Sequence, residues 1–167
     1  MKRMQPLYVV LSWLIVAVVL AAAHPALAQA PSTLCKGPSC NGQDPQATNC
    51  SADAQTPSDP TSTVPIYDNT GKAVGLVDVR YSPTCKAAFA RARISDSQYC
   101  PGQLLAQITR SGDFTFFTKV DFAFPNSNGV CVLRSPMIYA PSSFLVSAAG
   151  GSFNRFSSAT PLIDPQQ

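Results

Sequence analysis

Hydrophobic and polar residues alternate with a period of two over much of the chain after residue 62. The alternation is clearest over 114–124, where one parity holds Phe114, Phe116, Thr118, Val120, Phe122 and Phe124. Successive side chains of a strand point to opposite faces, so this period predicts a long strand, or two strands joined by a bend. An apolar stripe at strand spacing is usually core, and we expect these phenylalanines to be buried. The alternative is that they line a lipid or ligand pocket.

Shorter alternating segments flank this one, and turn residues separate them. The other predicted strands are 64–68, 73–81, 103–110, 130–133, 137–139, 144–148 and 152–156. Asp68–Gly71 and Gly150–Gly151 have the composition of turns. Short strands with turn signals between them, and no convincing long helix, predict an all-β fold. We expect a small antiparallel sandwich or barrel-like domain that is loop-rich and disulfide-stapled.

The segment 86–94 is ambiguous between helix and strand. Its Ala, Lys and Arg content suits a helix. As a strand, it places Ala88, Ala90, Ala92 and Ile94 on the inner face. We favour the strand, because the turn at Ser82–Cys85 leads tightly into it from the preceding strand.

As a strand, 86–94 also presents the best candidate binding residues. Phe89, Arg91 and Arg93 project from its outer face, with Lys86 nearby. An aromatic ring flanked by cations can bind sugars or an anionic polymer through stacking and charge. The more common arrangement is structural, in which the arginine side chains lie over the ring and cover the sheet face.

The first residues have the features of an export signal. Lys2 and Arg3 precede an uncharged apolar run over 7–23, and Ala26-Leu27-Ala28 fits a signal-peptidase site. We expect cleavage between Ala28 and Gln29, although an uncleaved run of this length just reaches across a bilayer. The predicted organisation is a signal peptide over 1–28, a flexible arm over 29–34, a single domain over 35–157 and a flexible tail over 158–167. The predicted location is secreted or extracytoplasmic, with membrane attachment only if the signal is uncleaved.

The composition after residue 28 excludes several function classes. The single His and Trp both lie in the signal segment, and the chain has no Glu. Ser-His-Asp sites, Cys-His sites and His-ligated metals are therefore excluded. Ten of the twelve Lys and Arg residues and all nine Asp residues remain, a net charge of +1. Such a charge does not support nucleic-acid binding, and we expect no cofactor and no bound metal.

The aspartates offer few further candidates. Asp44 and Asp53 flank Cys50 and are candidate calcium ligands, although such residues more often cap turns. Asp78 and Arg80 lie two apart on one strand face, which predicts an exposed ion pair of little energetic weight. An enzyme with this composition would have to use Asp, Lys, Tyr or a free Cys as acid and base.

Cysteine usage predicts three disulfides. All six cysteines lie after the signal segment, namely Cys35, Cys40, Cys50, Cys85, Cys100 and Cys131. An even count in an exported chain is typical of disulfides, whereas a metal site would need C-x-x-C pairs that are missing. The segment 35–50 holds three of the six and almost no other apolar side chain. We therefore expect covalent bonds, rather than burial, to hold it in place.

Two stretches of the sequence resemble a known family. The first is Cys35-x4-Cys40-Asn41-Gly42-Gln43-Asp44-Pro45 with Cys50, and the second is Val79-Arg80-Tyr81-Ser82-Pro83-Thr84-Cys85-x3-Phe89. They are similar to the YjfA-like family of secreted bacterial domains of unknown function (DUF family 2690), with a weaker match at 137–141. Phe89 stands where relatives usually carry Trp. Cys100 and Cys131 lie outside the family-like pattern, so we expect them to pair with each other and leave three pairings for the other four.

Three functions are compatible with these features. The first is a non-catalytic binding or cell-envelope module, with a cell-wall or anionic polysaccharide as its partner. The second is a secreted structural or effector protein that acts through a protein partner. The third is an Asp-dependent hydrolase, for which no spacing nominates a catalytic pair. We favour the binding module, because it needs no catalytic side chain that the exported part lacks.

Overall fold

The computed structural model describes residues 34–167, which fall within one compact unit. The predicted signal peptide, its cleavage site and most of the arm lie outside the described residues. Between Leu34 and Gln167, no helix is long and apolar enough to cross a membrane. The 3-10 helices are Gly37–Cys40 and Pro60–Ser62. The strands are β1 (Thr63–Tyr67), β2 (Ala73–Ser82), β3 (Ala87–Ile94), β4 (Gly102–Arg110), β5 (Phe116–Ala123), β6 (Cys131–Arg134), β7 (Ile138–Tyr139), β8 (Val146–Ser152) and β9 (Phe156–Ala159).

These strands form two antiparallel sheets, so the all-β prediction is confirmed. Sheet A has the order β1-β2-β3-β6, and β7 pairs with the first two residues of β3. Sheet B has the order β5-β4-β8-β9. The ambiguous segment 86–94 is strand, since β3 pairs with β2 from Gly75↔Ile94 to Ser82↔Ala87. The tight turn between β2 and β3 favours this pairing over a helix.

The main core lies between the two sheets. β2 and β3 pack on β4 and β8, and the even positions of β3 face inward as predicted, from Ala88 to Ile94. Gly150 lies inside β8, where an added Cβ would come within 2.7 Å of the Ala92 Cβ. The predicted turn at Gly150–Gly151 is therefore wrong. The glycines mark a close approach of backbone and side chains rather than a chain reversal.

Residues 35–57, which we call the covering segment, pack on the outer face of sheet A and build a second core. This second core contains Cys40, Cys50, Ala54, Cys85, Ala87, Phe89 and Met137. The covering segment is also hydrogen-bonded to the residues just before β3 and β7, through Gly37 N to Cys85 O at 2.8 Å and Met137 N to Gln43 O at 2.8 Å. Its cysteine sulfurs supply the apolar surface that its other side chains lack.

Three disulfides join the six cysteines, as the cysteine count predicts. Cys100 pairs with Cys131, which confirms the pairing expected from the family resemblance. The remaining four pair as Cys35–Cys40 and Cys50–Cys85. The second of these joins the covering segment to the turn before β3, so it closes the second core directly.

The phenylalanine stripe of β5 faces solvent, and its predicted burial is wrong. Phe116 is 61% exposed and Phe122 is 54% exposed. The predicted parity is correct, but register decides which parity is inside. Ile108, a buried residue of β4, pairs with Phe117 of β5. Phe117 and every second residue after it therefore take the inner face of β5. The stripe belongs to the outer face of sheet B.

The C-terminal segment is more ordered than its sequence suggests. The expected strand over 152–156 is instead split, with Ser152 ending β8 and Phe156 beginning β9. The composition over 158–167 predicts a flexible tail; within this range, β9 runs to Ala159 and Ile163 is 2% exposed. Ile163 exchanges two backbone hydrogen bonds of 2.9 Å with Val146. An apolar side chain and a paired backbone thus fix a segment whose composition is typical of a loose end.

Candidate functional site

A buried carboxylate lies at the centre of the outer face of sheet A. Asp78 occupies an outward position of β2, directly opposite Arg91 of β3, and its side chain is 1% exposed. Arg91 donates two hydrogen bonds to it, from Nε to Oδ1 at 3.0 Å and from Nη2 to Oδ2 at 2.6 Å. Thr56 donates a third to Oδ2 at 3.2 Å. This two-pronged ion pair is the strong geometry for an Arg–carboxylate contact.

The predicted ion pair between Asp78 and Arg80 does not form. Arg80 donates instead to the Thr56 hydroxyl at 2.8 Å and to the Ala54 carbonyl. Asp78 is also buried rather than exposed, because the segment around Thr56 lies over it. The backbone of Gln55, next to Thr56, holds that segment in place by exchanging two hydrogen bonds of 2.8 Å with Tyr81.

Four arginines surround this one carboxylate. Arg93 and Arg80 flank Arg91 on the same face, and Arg134 of β6 pairs directly opposite Arg91. Burial lowers the pKa of Arg80, and repulsion from Arg91 lowers it further. Burial and then Arg91 act in the same direction on the pKa of Arg134. Asp78 is the one buried carboxylate among these four guanidinium groups, and the half-buried Asp44 acts on Arg134 as well, so positive charge is in excess within the cluster.

A cleft of about 380 Å³ opens beside this cluster. Its polar lining consists of Arg91, Arg93, Arg134, Ser95, Asn126 and Asn128. Arg93 Nε is buried with no hydrogen-bond partner, since its nearest carboxylate oxygen, Asp78 Oδ1, is 3.8 Å away. An unpaired buried donor among several cations makes this cleft the candidate site for an anion that brings its own acceptors.

The structure brings together only part of the set predicted from sequence. Arg91 and Arg93 both line the cleft, but Lys86 and Phe89 do not. Phe89 is 1% exposed, packed beneath the cysteine-rich segment in the second core, so its ring is withdrawn from solvent. Lys86 is exposed at the turn that opens β3, where it lines a different depression with Tyr81.

Sequence reasoning missed Arg80 as a cluster member, Arg134, and the two asparagines. Arg134 enters through the pairing of β3 with β6, two strands that lie about 40 residues apart in the chain. Asn126 and Asn128 belong to the loop before β6, which the sequence marks only as a turn. The repeated outward arginines at 80, 91, 93 and 134 were the available signal, but it needs the strand order to be interpretable.

The candidate metal ligands serve other purposes. Asp44 accepts the backbone N–H of Gln46 at 2.8 Å, and Asp53 accepts the Ser82 hydroxyl at 2.6 Å, so they stabilise two separate turns. Burial raises the pKa of Asp53, but the hydrogen bonds from Ser82 and Thr84 outweigh it and leave the pKa below its usual value. Within residues 34–167, the one close group of ligand-type side chains is formed by Cys35, Cys40, Cys50 and Cys85. These sulfurs are bound to one another as disulfides.

Comparison with known proteins adds a family but no activity. A search of curated proteins finds no match, and a search of solved structures finds none. Residues 38–148 match the sequence profile of a family described as "Protein of unknown function (DUF2690)". The matched range contains β1 to β7, the arginine cluster and five of the six cysteines. Because the match spans well over half of the chain, the protein belongs to the DUF2690 family.

Proposed function

We propose that this protein is an exported, non-catalytic binding domain that holds an anionic polysaccharide of the cell envelope in the arginine cleft. The observation that carries this proposal is the imbalance of the cluster, in which four guanidinium groups share one buried carboxylate. Charge of this kind in a half-covered cleft attracts carboxylate or phosphate groups and strengthens contacts to them.

Two further features support export as part of the proposal. The apolar run over 7–23 and the Ala26-Leu27-Ala28 motif have the pattern of a cleaved signal. Three disulfides are consistent with an oxidising compartment. Mass spectrometry of the exported protein tests this point directly. A mature chain that begins at Gln29 supports the proposal, and a retained residue 1 or 2 on a membrane-bound species contradicts it.

Binding in the cleft is tested with two polymers that share a backbone and differ in charge. Polygalacturonate carries a carboxylate on each sugar, and its methyl ester has the same backbone without the charge. We expect binding to polygalacturonate that weakens as salt is raised, and at least about tenfold weaker binding to the ester, a difference of about 1.4 kcal/mol. Equal binding of the two polymers would place recognition outside the cleft.

Single substitutions then distinguish binding in the cleft from an effect of the protein's net charge. Arg93→Gln and Arg134→Gln each remove one cation from the cleft lining, while Arg155→Gln removes one cation from the loop before β9, outside it. We expect the first two to weaken polygalacturonate binding and the third to leave it unchanged. Equal losses in all three variants would mean that overall charge, rather than the cleft, binds the polymer.

A further inference from the structure

The outer face of sheet B carries a bare row of aromatic side chains. We call Phe116, Phe122 and Phe124, together with the apolar Val120 between them, the aromatic stripe. In chain order, these four side chains are 61%, 36%, 54% and 72% exposed. The Phe122 and Phe124 rings lie against each other with centroids 5.1 Å apart. The exposed apolar area is about 400 Å², which on a monomeric domain commonly marks an interaction site.

The strand beside the stripe completes this face with uncharged groups. Cross-strand partners lie on the same side of a sheet, and the register pairs Gln103 with Phe122, Gln107 with Thr118 and Thr109 with Phe116. Thr118 donates to Gln107 Oε1 at 3.0 Å, and Gln107 Nε2 donates to Thr109 Oγ1 at 3.2 Å. The face therefore has rings towards both ends and an amide–hydroxyl row between them.

The charged residues of β5 lie on its other face. Lys119 and Asp121 alternate with the stripe, and Lys119 Nζ is 3.6 Å from Asp44 Oδ2, in the covering segment of sheet A. The outward positions of β4 and β5 carry exposed rings and no charged side chain, which suits an uncharged ligand that also has an apolar surface. Amide and hydroxyl groups both donate and accept hydrogen bonds, which matches them to ligand hydroxyls.

We propose that the outer face of β5 binds an uncharged, extended polysaccharide whose sugar rings stack on Phe116 and Phe122. Sugar rings have apolar C–H faces for the phenylalanines and hydroxyls for Gln107 and Thr118. Phe122 lies six positions after Phe116, about 20 Å along a strand, which suits a chain of sugars rather than a single ring. This goes beyond the arginine cleft, because the two sites lie on opposite outer faces and select opposite chemistry.

A second copy of the chain fits this surface less well. The stripe offers about 400 Å² per partner, roughly half of what a stable interface of standard size buries on each side. The free edge of β5 is also occupied, since the Asp121 carboxylate accepts the neighbouring Phe122 N–H at 2.8 Å. Charged side chains at an edge strand oppose sheet extension between copies. A lipid surface, in turn, would be expected to draw on cations beside the rings.

The experiment measures depletion of the protein by insoluble chitin and cellulose, two uncharged and extended polymers. We expect binding that is insensitive to salt, and a loss of at least about tenfold in the Phe116→Ala/Phe122→Ala variant. Stability should be unchanged, because both rings are exposed. Tyr67→Ala is the matched control, since Tyr67 is an aromatic residue 50% exposed on sheet A, and it should bind as the unmodified protein does.

Two substitutions at one position separate stacking from general hydrophobicity. Phe122→Tyr keeps the ring and should keep binding, whereas Phe122→Leu keeps apolar area without the ring and should lose it. Absence of binding to both polymers overturns the proposal. So does a dimer in sedimentation, or capture by phosphatidylcholine vesicles, that Phe116→Ala/Phe122→Ala abolishes. Arg93→Gln should leave chitin and cellulose binding unchanged, so failure of either site is visible separately from the other.

Discussion

The outer faces of the two sheets both carry phenylalanine, which is buried on sheet A and exposed on sheet B. Phe89 of β3 and Phe122 of β5 both occupy outward positions of strands, yet Phe89 is 1% exposed and Phe122 is 54% exposed. The difference comes from the covering segment, which lies over Phe89 on sheet A and leaves the outer face of β5 exposed. Strand alternation decides which residues share a face, and a distant part of the chain decides whether that face is core.

The cover on sheet A is built from unusual material. Around Phe89, the second core takes three of its members from disulfide-bonded cysteines: Cys40, Cys50 and Cys85. Buried half-cystines behave as apolar side chains, so each bond both closes a loop and fills the core. The cover also extends to Thr56, which helps to bury Asp78, so the arginines lie around a buried carboxylate.

The sharpest test of this comparison truncates one ring on each face. Phe89→Ala should lower the free energy of unfolding by about 3–5 kcal/mol, because it empties the second core. Phe122→Ala removes the same ring from an exposed position, so it should change the free energy of unfolding by no more than about 0.5 kcal/mol. Urea unfolding of both variants measures the difference. Similar losses at the two positions would mean that the stripe is buried or that Phe89 is not.

A smaller effect should distinguish the two disulfides of the cover. Cys50–Cys85 closes a separation of 35 residues and Cys35–Cys40 one of 5. Loop entropy then predicts a loss of about 4 kcal/mol for Cys50→Ala/Cys85→Ala and about 2 kcal/mol for Cys35→Ala/Cys40→Ala. Denaturant unfolding of the two double variants gives the ranking. The reverse ranking would show that Cys35–Cys40, rather than Cys50–Cys85, holds the covering segment in place.

The smallest effect concerns the turn that leads into β5. Arg110 donates to Asp113 from Nε at 3.1 Å and through Nη2, and these hydrogen bonds hold the pKa of Asp113 well below its usual range. A lowered folded-state pKa stabilises the protein above the unfolded value of about 3.9, and this contribution is lost as pH falls below it. Asp113→Asn should therefore reduce stability at pH 7, and its deficit should shrink as pH falls below 4. A deficit that stays constant down to pH 2 would contradict this ion pair.

The sequence predicts more of the strands than of their surroundings. The even positions of β3 and the shared parity of the stripe follow from alternation alone, because side-chain period is a local property. The burial of Phe89 does not, since the segment over it has few apolar residues apart from cysteines. The spacing of the stripe predicts a core position, because an apolar row at strand spacing is usually core, and only the register of β5 on β4 places it outside.

The candidate site divides in the same way. Arg91 and Arg93 are predictable from their spacing within β3. Arg134 joins them through a pairing across about 40 residues, and the burial of Asp78 depends on Thr56 in the covering segment. Long-range pairing and cover cannot be obtained from the composition of one segment. Gly150 illustrates the limit in the core, where it serves close approach to Ala92 although its sequence is typical of a turn.

One outward ring is covered and the other is exposed, and relaxation of the ring protons by a neutral paramagnetic cosolute distinguishes the two. In the oxidised protein, the Phe116 and Phe122 rings should relax strongly and the Phe89 ring should not. In Cys50→Ala/Cys85→Ala, the Phe89 ring should begin to relax while Phe122 stays as it was. Protection of the Phe122 ring, or relaxation of the Phe89 ring while the Cys50–Cys85 disulfide is intact, would contradict this arrangement.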